Sequence, residues 1–364
     1  MKQKLRKIVS KLKKKPDAVF LHFTGNVFGL GCSAFNEKAI DRISKLKKRR
    51  KQKKGFIVLI PDKSWLQKFH IKYDGKFEPL LQQYWPGNLT AIFKDEQGVF
   101  PHLSPNGTIA FRVPTSQFLR DFIIEFDEPI ISTSINISGE SPLVDLAAIR
   151  NEKKGWFDYE ILPPELEKSQ SQVSTIIDVT GNENKLLWEG SIKFEDIELS
   201  YQKPQILFVC TGNICRSPMA EYLLKEKIKE YNLNFRVKSA GFLDSGVRIS
   251  TNSYQVLKDY GIDALHHVSS AIDEKLIQNS WLILTMEEKH KDELLKIAPN
   301  AGGRVFTLSE YCGREFCVPN CNIEDPFNLE IYFYRETFKK IKERIEVLAE
   351  KLLEMERKSS VLKK

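Results

Sequence analysis

The sequence has 364 residues, more than one ordinary hydrophobic core supports, so we expect two domains. Hydrophobic residues make up 41% of the chain and aromatic residues 11%, which excludes a globally disordered protein although 29% of the residues are charged. The formal net charge is +8, and the lysine- and arginine-rich stretches 1–15 and 45–54 indicate either anionic partners or solvated helix faces.

Two kinds of segment are missing from the sequence. The amino terminus carries charges without the apolar core of a signal peptide, and no run of about 18 apolar residues occurs. We therefore expect a cytoplasmic protein without membrane contact. In that compartment the six cysteines should be reduced thiols.

The first half of the chain contains apolar runs that are rich in β-forming residues. They are AVFLHF (18–23), FIVLI (56–60), TAIF (90–93), TIAFRV (108–113), PIISTSIN (129–136) and VSTIIDV (173–179). Helical or loop patterns separate these runs, which predicts a mixed α/β domain with a twisted mixed sheet. Residues 150–172, with Pro163 and Pro164, are predicted to form a loop inside that domain.

The second half changes to short buried strands that alternate with helices. The strands are ILFVC (206–210), WLILTM (281–286) and VFTL (305–308), and the helical patterns lie at 218–231, 250–261 and 332–358. This alternation predicts a doubly wound parallel sheet. Polar residues and Pro204 interrupt the pattern between the halves, so we predict domains at 1–198 and 204–364 with a linker at 199–203.

The segment ILFVCTGNICRSPMAE (206–221) combines a buried strand, a polar turn and a helix start. The strand brings Cys210 to the carboxyl edge of the sheet, and Gly212 and Asn213 tolerate the left-handed conformations of a sharp turn. Backbone amides at a helix N-terminus bind anions, and Arg216 adds a bidentate guanidinium contact. The same amides favour thiolate over thiol, so Cys210 is a candidate nucleophile. The alternative is a buried strand cysteine with an unrelated surface arginine.

This second half resembles the low-molecular-weight protein tyrosine phosphatase family over roughly residues 204–356. VCTGNICRSPMAE is similar to the signature loop of that family, and KSAG (238–241), YGID (260–263) and WLILTM (281–286) are similar to its later landmarks. The resemblance implies a hydrolase that needs no cofactor and forms a phosphocysteine intermediate. Its implied roles are the nucleophile for Cys210, the phosphate clamp for Arg216, the loop brace for Asn213 and the thiolate donor for Ser217, with Thr211, Gly212, Ile214 and Cys215 completing the loop.

The segment EDPFN (324–328) resembles the Asp-Pro-aromatic motif of the same family. The resemblance makes Asp325 the general acid, and then the base that activates water against phosphocysteine. Glu324 is the neighbouring alternative carboxylate. Phe327 is expected to stack on a substrate ring, whereas Asn328 departs from the aromatic or glycine residue of many relatives.

Ile214 bears on the choice of substrate. Family members that hydrolyse phosphoarginine have threonine at this position, and isoleucine accompanies phosphotyrosine, so a phosphotyrosine protein is the predicted substrate. Phosphoarginine hydrolysis, arsenate reduction on a related fold, and a regulator whose loop only senses phosphate are the alternatives.

The remaining cysteines have structural or redox interpretations. Cys215 either forms a reversible disulfide with Cys210, as the family pattern implies, or is a packing thiol. Cys312, Cys317 and Cys321 lack the paired spacing and the histidine of a zinc site, so we expect free loop thiols and no metal.

The first half resembles the YrdC family of threonylcarbamoyl-adenylate synthases over roughly residues 9–198. The motifs are LHFTGNVFGLGCSA (21–34), LKKRR (46–50), YWPGNLT (84–90), AFRVP (110–114), STSINISG (132–139) and STIIDV (174–179). Such enzymes join L-threonine, bicarbonate and ATP, with Mg²⁺, and their product serves tRNA modification, so tRNA or tRNA-modification proteins are implied partners. The residues implied in nucleotide or Mg²⁺ binding are Lys47, Arg49, Ser134, Asn136, Ser174 and Thr24.

Two departures weaken the expectation of synthase activity. Phe23, Thr24, Gly25 and Asn26 replace the Pro-Thr-Asp-Thr turn of the family, and Trp188 stands where the family has an arginine two residues before a glycine. We therefore expect nucleotide binding with slow or absent synthesis. The rival interpretation of the chain is a regulator that binds nucleotide or RNA.

Overall fold

The computed structural model describes residues 2–48, 55–104, 106–137, 143–166 and 172–361, except for the side chains of residue 2 and of residues 358–361. The described chain divides into two compact units. The first comprises Met1–Asp74 and Tyr84–Glu195, and the second comprises Gly75–Gln83 and Asp196–Lys364. Each unit has its own sheet.

The first unit is built on a mixed sheet. Its helices are α1 (Lys2–Lys14), α2 (Glu37–Leu46), α3 (Ser64–Lys68), α5 (Gln117–Phe126) and α6 (Leu146–Glu152). Of helix α4 (Glu78–Tyr84), only Tyr84 belongs to this unit, and residues 78–83 belong to the second. Its strands are β1 (Phe20–Phe23), β2 (Phe28–Ser33), β3 (Ile57–Leu59), β4 (Leu89–Lys94), β5 (Thr108–Arg112), β6 (Ile130–Ser134), β7 (Tyr159–Ile161), β8 (Thr175–Asp178) and β9 (Lys185–Trp188). Their order is β7-β1-β2-β6-β3-β5-β4-β8-β9, with parallel and antiparallel neighbours, which confirms the predicted mixed sheet.

The predicted loop at 150–172 is wrong in part. Strand β7 lies inside it and pairs in parallel with β1, with Leu21 opposite Glu160. Three residues with a single buried side chain, Ile161, give too short a pattern to distinguish a strand from a loop in the sequence.

Strand β2 is a glycine-rich strand that pairs with β1. A Cβ atom added at Gly29 or Gly31 would lie 2.8–3.0 Å from the ring of His22 on β1 and from carbonyl oxygens of β6. The glycines therefore let the two neighbouring strands close over a buried histidine ring.

The second unit is built on four parallel strands. Its strands are β10 (Gln205–Cys210), β11 (Arg236–Gly241), β12 (Leu282–Thr285) and β13 (Val305–Thr307), in the order β11-β10-β12-β13. Its helices are α7 (Phe194–Gln202, of which 196–202 fall in this unit), α8 (Arg216–Glu230), α9 (Thr251–Asp259), α10 (Glu274–Gln278), α11 (Glu288–Ile297), α12 (Leu308–Cys312) and α13 (Ile331–Val361), with short 3₁₀ turns at Pro299–Arg304 and Arg314–Phe316. This arrangement confirms the doubly wound parallel sheet.

The alternation of side chains along β10 explains why this sheet is covered on both faces. Ile206 and Phe208 belong to the core that contains residues of α8, α9 and α13, whereas Leu207 and Val209 belong to a second core with residues of α10 and α11. All four side chains are fully buried. A continuous apolar strand that ends in Cys210 therefore places that thiol at the carboxyl edge of a central strand.

The segment between the sheets is helical. Helix α7 runs to Gln202, so residues 199–202 of the predicted linker lie in its last turn, and Pro204 directly precedes β10. Among the described residues, no helix combines the length and the apolarity that a membrane crossing requires.

Candidate active site

A tight turn joins β10 to α8 and surrounds the Cys210 thiol. We call residues 210–217 the phosphate cradle. The backbone amide of Asn213 lies 3.3 Å from the Cys210 sulfur and donates to it, and the Ser217 hydroxyl lies 3.0 Å from the same atom. Cys210 is only 3% exposed. The Asn213 amide therefore donates to the sulfur, and backbone amides in such a turn suit an anion.

The turn takes its left-handed residue at Asn213, whose φ is 54°. Gly212, which we expected to share this conformation, is not among the residues with positive φ. The glycine that the turn requires is Gly241, the last residue of β11. A Cβ atom added there would lie 2.7 Å from the Thr211 carbonyl oxygen. Gly241 therefore lets the neighbouring strand support the cradle from behind.

The Asn213 side chain braces the cradle. Its Nδ2 donates to the hydroxyls of Ser217 at 2.9 Å and Ser239 at 2.7 Å, and its Oδ1 accepts from the Ser270 amide at 2.9 Å. His267 Nε2 lies 2.8 Å from the Asn213 carbonyl oxygen. These contacts hold Asn213 in a left-handed conformation, which asparagine tolerates.

The network continues to residues that were assigned no role from the sequence. The Ser239 hydroxyl donates to the Glu221 carboxylate, which sits one and a half turns into α8. Ser239 and Glu221 lie inside the quoted motifs KSAG and VCTGNICRSPMAE, so the motifs carried a signal for them. No pattern in the sequence distinguishes His267.

Arg216 is buried and is held by oxygen atoms. Its Nη1 donates to the Glu287 carboxylate and, at 2.8 Å, to the Ile323 carbonyl oxygen, and its Nη2 donates to the Asp325 carboxylate. Burial opposes ionisation of Glu287, but the hydrogen bonds from Arg216 and Lys289 outweigh it and lower the pKa of that carboxyl. Within the described part of the chain, Arg216 Nε has no hydrogen-bond partner although it is buried. A buried N–H without a partner beside an anion cradle fits a donor to a bound oxyanion.

Asp325 meets the cradle through the guanidinium. Its side chain is 38% exposed, and its Oδ1 accepts from the Phe327 amide at 3.3 Å. Phe327 is half exposed, and Asn328 has a φ of 61°, which asparagine tolerates. The departure at Asn328 is therefore accommodated by a left-handed turn that leaves Phe327 at the surface.

The other two cysteine predictions have different outcomes. Cys215 is buried, with its sulfur 3.3 Å from the Ser250 hydroxyl and 3.7 Å from the Tyr334 hydroxyl, and burial raises the pKa of its thiol. The expectation that all cysteines are free is wrong, because Cys317 and Cys321 form a disulfide. The intervening turn brings their Cα atoms within 4.0 Å of each other. The sequence spacing of the cysteines, which we compared only with that of zinc sites, does not reveal this turn.

In the first unit, three of the residues predicted to bind nucleotide lie together. Lys47 is 3% exposed, and its ammonium donates to the Ser134 carbonyl oxygen and, at 2.9 Å each, to the carbonyl oxygen and Oδ1 of Asn136. The Ser134 hydroxyl also donates to Asn136 Oδ1. The result is a fixed, buried cation at the end of β6.

The remaining predicted nucleotide residues make other local contacts or fall outside the structure. The Thr24 hydroxyl donates to the Val27 carbonyl oxygen at 3.1 Å, and the Ser174 hydroxyl lies 2.8 Å from the Thr90 hydroxyl. Arg49 lies outside the described residues. Trp188, one of the departures, is 54% exposed on β9.

Comparison with known proteins places both units. The family model of low molecular weight phosphotyrosine protein phosphatases matches residues 205–359, and the Sua5/YciO/YrdC model, described as telomere recombination, matches residues 17–190. The protein-arginine-phosphatase of Bacillus subtilis (strain 168) is 36% identical over 148 residues, which cover 40% of this chain and 95% of the relative.

Two further relatives match a similar share of the chain. The protein-arginine-phosphatase of Geobacillus stearothermophilus is 39% identical, with 41% of this chain and 95% of the relative covered. The low molecular weight protein-tyrosine-phosphatase Ptp of Acinetobacter johnsonii is 33% identical, with 37% and 89% covered. The chain therefore belongs to the low molecular weight phosphotyrosine protein phosphatase family and carries, ahead of that domain, a domain of the Sua5/YciO/YrdC family.

Proposed function

We propose that the second unit hydrolyses phosphotyrosine in proteins through a phosphocysteine intermediate. The observation that carries this proposal is the junction of three groups at one cradle. The Cys210 sulfur accepts from the Asn213 amide and contacts the Ser217 hydroxyl, the buried Arg216 Nε has no partner among the described residues, and Asp325 accepts from the same guanidinium. Nucleophile, charge clamp and proton carrier are the parts that phosphoryl transfer needs.

Substrate binding exchanges one set of partners for another. A phosphate dianion in the cradle would accept from the loop amides and from Arg216 Nε, and it would compete with the Asp325 carboxylate for Nη2. Glu287 and the Ile323 carbonyl oxygen keep hold of Nη1, so the guanidinium stays in place while Asp325 is released. Asp325 is then free to face the leaving group.

The chemistry proceeds in two displacements. The Cys210 thiolate forms an S–P bond while the bond from phosphorus to the phenolic oxygen breaks. Asp325, which takes up a proton from water once Arg216 releases it, gives that proton to the oxygen. Water then attacks phosphorus, Asp325 takes a proton from it, and the S–P bond breaks to release inorganic phosphate. Ser217 and the Asn213 amide stabilise the departing thiolate.

The rim of the cradle supports an aromatic substrate. Leu243 and Phe327 are both at least half exposed, and a Cβ added at Gly212 would lie 3.6 Å from Ile214 and 3.7 Å from Leu243. Apolar groups at the mouth favour the ring of phosphotyrosine over the charged guanidinium of phosphoarginine. Phosphoarginine remains the second candidate, because two of the relatives above carry the name protein-arginine-phosphatase.

A paired assay tests the substrate proposal. The full-length protein is given one peptide with phosphotyrosine and the matched peptide with phosphoarginine, and wild type is compared with Ile214→Thr. We expect wild type to favour phosphotyrosine and the variant to shift the ratio of kcat/KM toward phosphoarginine. A wild-type preference for phosphoarginine overturns the phosphotyrosine proposal. Absence of any turnover favours the phosphate-sensing regulator, and arsenate-dependent consumption of thiol identifies an arsenate reductase.

For the first unit we propose binding of ATP, with Mg²⁺, and slow or absent formation of threonylcarbamoyl-adenylate from L-threonine and bicarbonate. Lys47 donates to oxygens of Ser134 and Asn136, so a phosphate that binds there would have to replace one of these acceptors. The exposed Trp188 stands where the family has a cation, which removes one phosphate contact. A tRNA or a tRNA-modification protein would be the partner of this activity, and the cytoplasm remains the predicted location.

Calorimetry with ATP tests the nucleotide proposal on the full chain, with inorganic phosphate present to occupy the cradle. We expect a dissociation constant in the micromolar to millimolar range, about 4 to 8 kcal/mol of binding free energy. Alanine at both Lys47 and Arg49 should weaken binding by more than about tenfold, because charge-assisted contacts contribute about 1.5 to 3 kcal/mol each. Absence of heat in wild type overturns the binding proposal, and rapid threonine-dependent release of pyrophosphate overturns the proposal of impaired synthesis.

A further inference from the structure

His290 contacts the phosphate cradle from a different helix. Its Nε2 lies 2.9 Å from the hydroxyl of Thr211, the first residue after the nucleophile, although the two residues are 79 positions apart in the sequence. The imidazole is 2% exposed. Its ring stacks on Phe242 with centroids 5.9 Å apart and an interplanar angle of 20°. The ring is therefore held in one orientation by packing.

Phe242 joins the same contact from the backbone side. The Phe242 amide donates to the Thr211 carbonyl oxygen at 2.8 Å, and the Leu243 amide donates to the same oxygen at 3.1 Å. Thr211 is thus tied at its carbonyl by the chain after β11 and at its hydroxyl by His290. The residue that follows Cys210 is therefore held by hydrogen bonds to its backbone and, independently, to its side chain.

His290 and the carboxylate that holds Arg216 share one helix start. Glu287 is the N-cap residue of α11, and the His290 amide donates to the Glu287 carbonyl oxygen at 3.1 Å. Glu287 bonds to Arg216 at one end of the cradle, while His290 bonds to Thr211 at the other. The first turn of α11 therefore sets both the start of the cradle and its arginine.

The surroundings of the ring favour its neutral form. The charged groups that face it are Glu287 at 3.8 Å from Nε2, together with Arg216, Lys289 and Asp325. Burial and Arg216 lower the pKa of His290 to about 4 against the opposing effect of Glu287. Within the described residues Nδ1 is buried without a partner, and a buried lone pair costs less than a buried N–H, so the proton belongs on Nε2. Nε2 then donates to the Thr211 hydroxyl oxygen.

We propose that His290 is a positioning residue of the phosphatase, which fixes the first turn of the phosphate cradle through the Thr211 hydroxyl. The proposal rests on the proposed function, since positioning matters for turnover only where the cradle acts on phosphate. His290 touches no reacting atom, and its effect reaches Cys210 through Thr211 and the backbone that follows it. The hydrogen bond from His290 to Thr211, rather than the bulk of the imidazole ring, is what positions the cradle.

Three substitutions in the full-length protein separate the hydrogen bond from packing. His290→Gln keeps an N–H donor at a similar reach, His290→Leu keeps apolar bulk without a donor, and Thr211→Val removes the hydroxyl at nearly constant shape. We expect His290→Leu and Thr211→Val to lower kcat/KM for an aryl phosphate by about three- to tenfold, the usual effect of one neutral hydrogen bond. His290→Gln should stay within about twofold of wild type. The double variant that combines His290→Leu with Thr211→Val should be no worse than Thr211→Val alone.

Lys291→Ala is the matched control on the same helix, because Lys291 pairs with Glu310 at 2.8 Å and makes no contact with the cradle among the described residues. Its kcat/KM should equal that of wild type. If His290→Leu unfolds at a lower temperature than wild type, Thr211→Val alone decides the test. Equal activity of His290→Leu, Thr211→Val and wild type overturns the proposal. So do losses that multiply in the double variant, and so does a His290→Gln variant as slow as His290→Leu.

Vanadate affinity keeps the test independent of turnover. An inactive wild type that still binds vanadate contradicts the proposed function but leaves the positioning role measurable. In that case we expect weaker vanadate binding for His290→Leu and Thr211→Val by the same factor. Unchanged vanadate binding in both variants overturns the proposal.

Discussion

Asp325→Asn separates the two roles that the structure gives to this carboxylate. Asp325 accepts from Arg216 Nη2 and so competes with an incoming phosphate. The pair is half buried, since the arginine side chain is 1% exposed and the aspartate 38%, so we discount its contribution to about 1 kcal/mol. Removing the charge should therefore tighten phosphate or vanadate binding by roughly fivefold.

The same substitution removes the proton carrier. Aryl esters with poor leaving groups should lose about 10²- to 10⁴-fold in kcat, because the departing oxygen leaves as an anion, whereas activated esters should lose much less. The assay is kcat across aryl phosphates of graded leaving-group pKa, together with inhibition by vanadate. Tighter anion binding combined with slower catalysis is a combination that general damage to the site does not produce.

Two results would refute this reasoning separately. Equal losses of kcat across all leaving groups would remove Asp325 from the acid role. Unchanged or weaker vanadate binding would show that the ion pair with Arg216 does not oppose anion binding.

Two further predictions concern stability. Asn213→Ala should destabilise the second unit by about 2 to 4 kcal/mol, because it removes the bonds to Ser217 and Ser239 and forces alanine to a φ of 54°. A loss below about 1 kcal/mol in urea unfolding, followed by hydrogen exchange of peptides from the second unit, would contradict the bracing role. Burial lowers the pKa of His22 to about 3, so the stability that its neutral ring contributes is complete above pH 6.5 and is lost by about 1.4 kcal/mol per unit as pH falls toward 3. His22→Leu should flatten that decline in the unfolding of the first unit, and an unchanged slope would contradict it.

The cradle could be predicted from the sequence because it is local. Strand, turn and helix start follow one another within 206–221, and Asn213 has the left-handed conformation expected in the turn, whereas Gly212 does not. Asp325 required a second motif more than a hundred residues later, and its pairing with Arg216 became visible only in the fold.

The supporting residues could not be predicted because they act across the fold. His290, Glu287 and His267 reach the cradle from other elements, and a lone histidine or glutamate has no local pattern that reveals its partner. The disulfide between Cys317 and Cys321 depends on a turn geometry that spacing alone does not indicate. The short strand β7 fell in a segment with too few apolar residues to signal a strand.

The covalent intermediate on Cys210 tests the central claim most directly. During turnover of an aryl phosphate, rapid acid quench and mass spectrometry should find one phosphoryl group on the peptide that contains Cys210, and Cys210→Ser should abolish hydrolysis while retaining vanadate binding through the cradle amides and Arg216. Full hydrolysis by Cys210→Ser, or turnover of the wild type without phosphate on that peptide, would contradict the account.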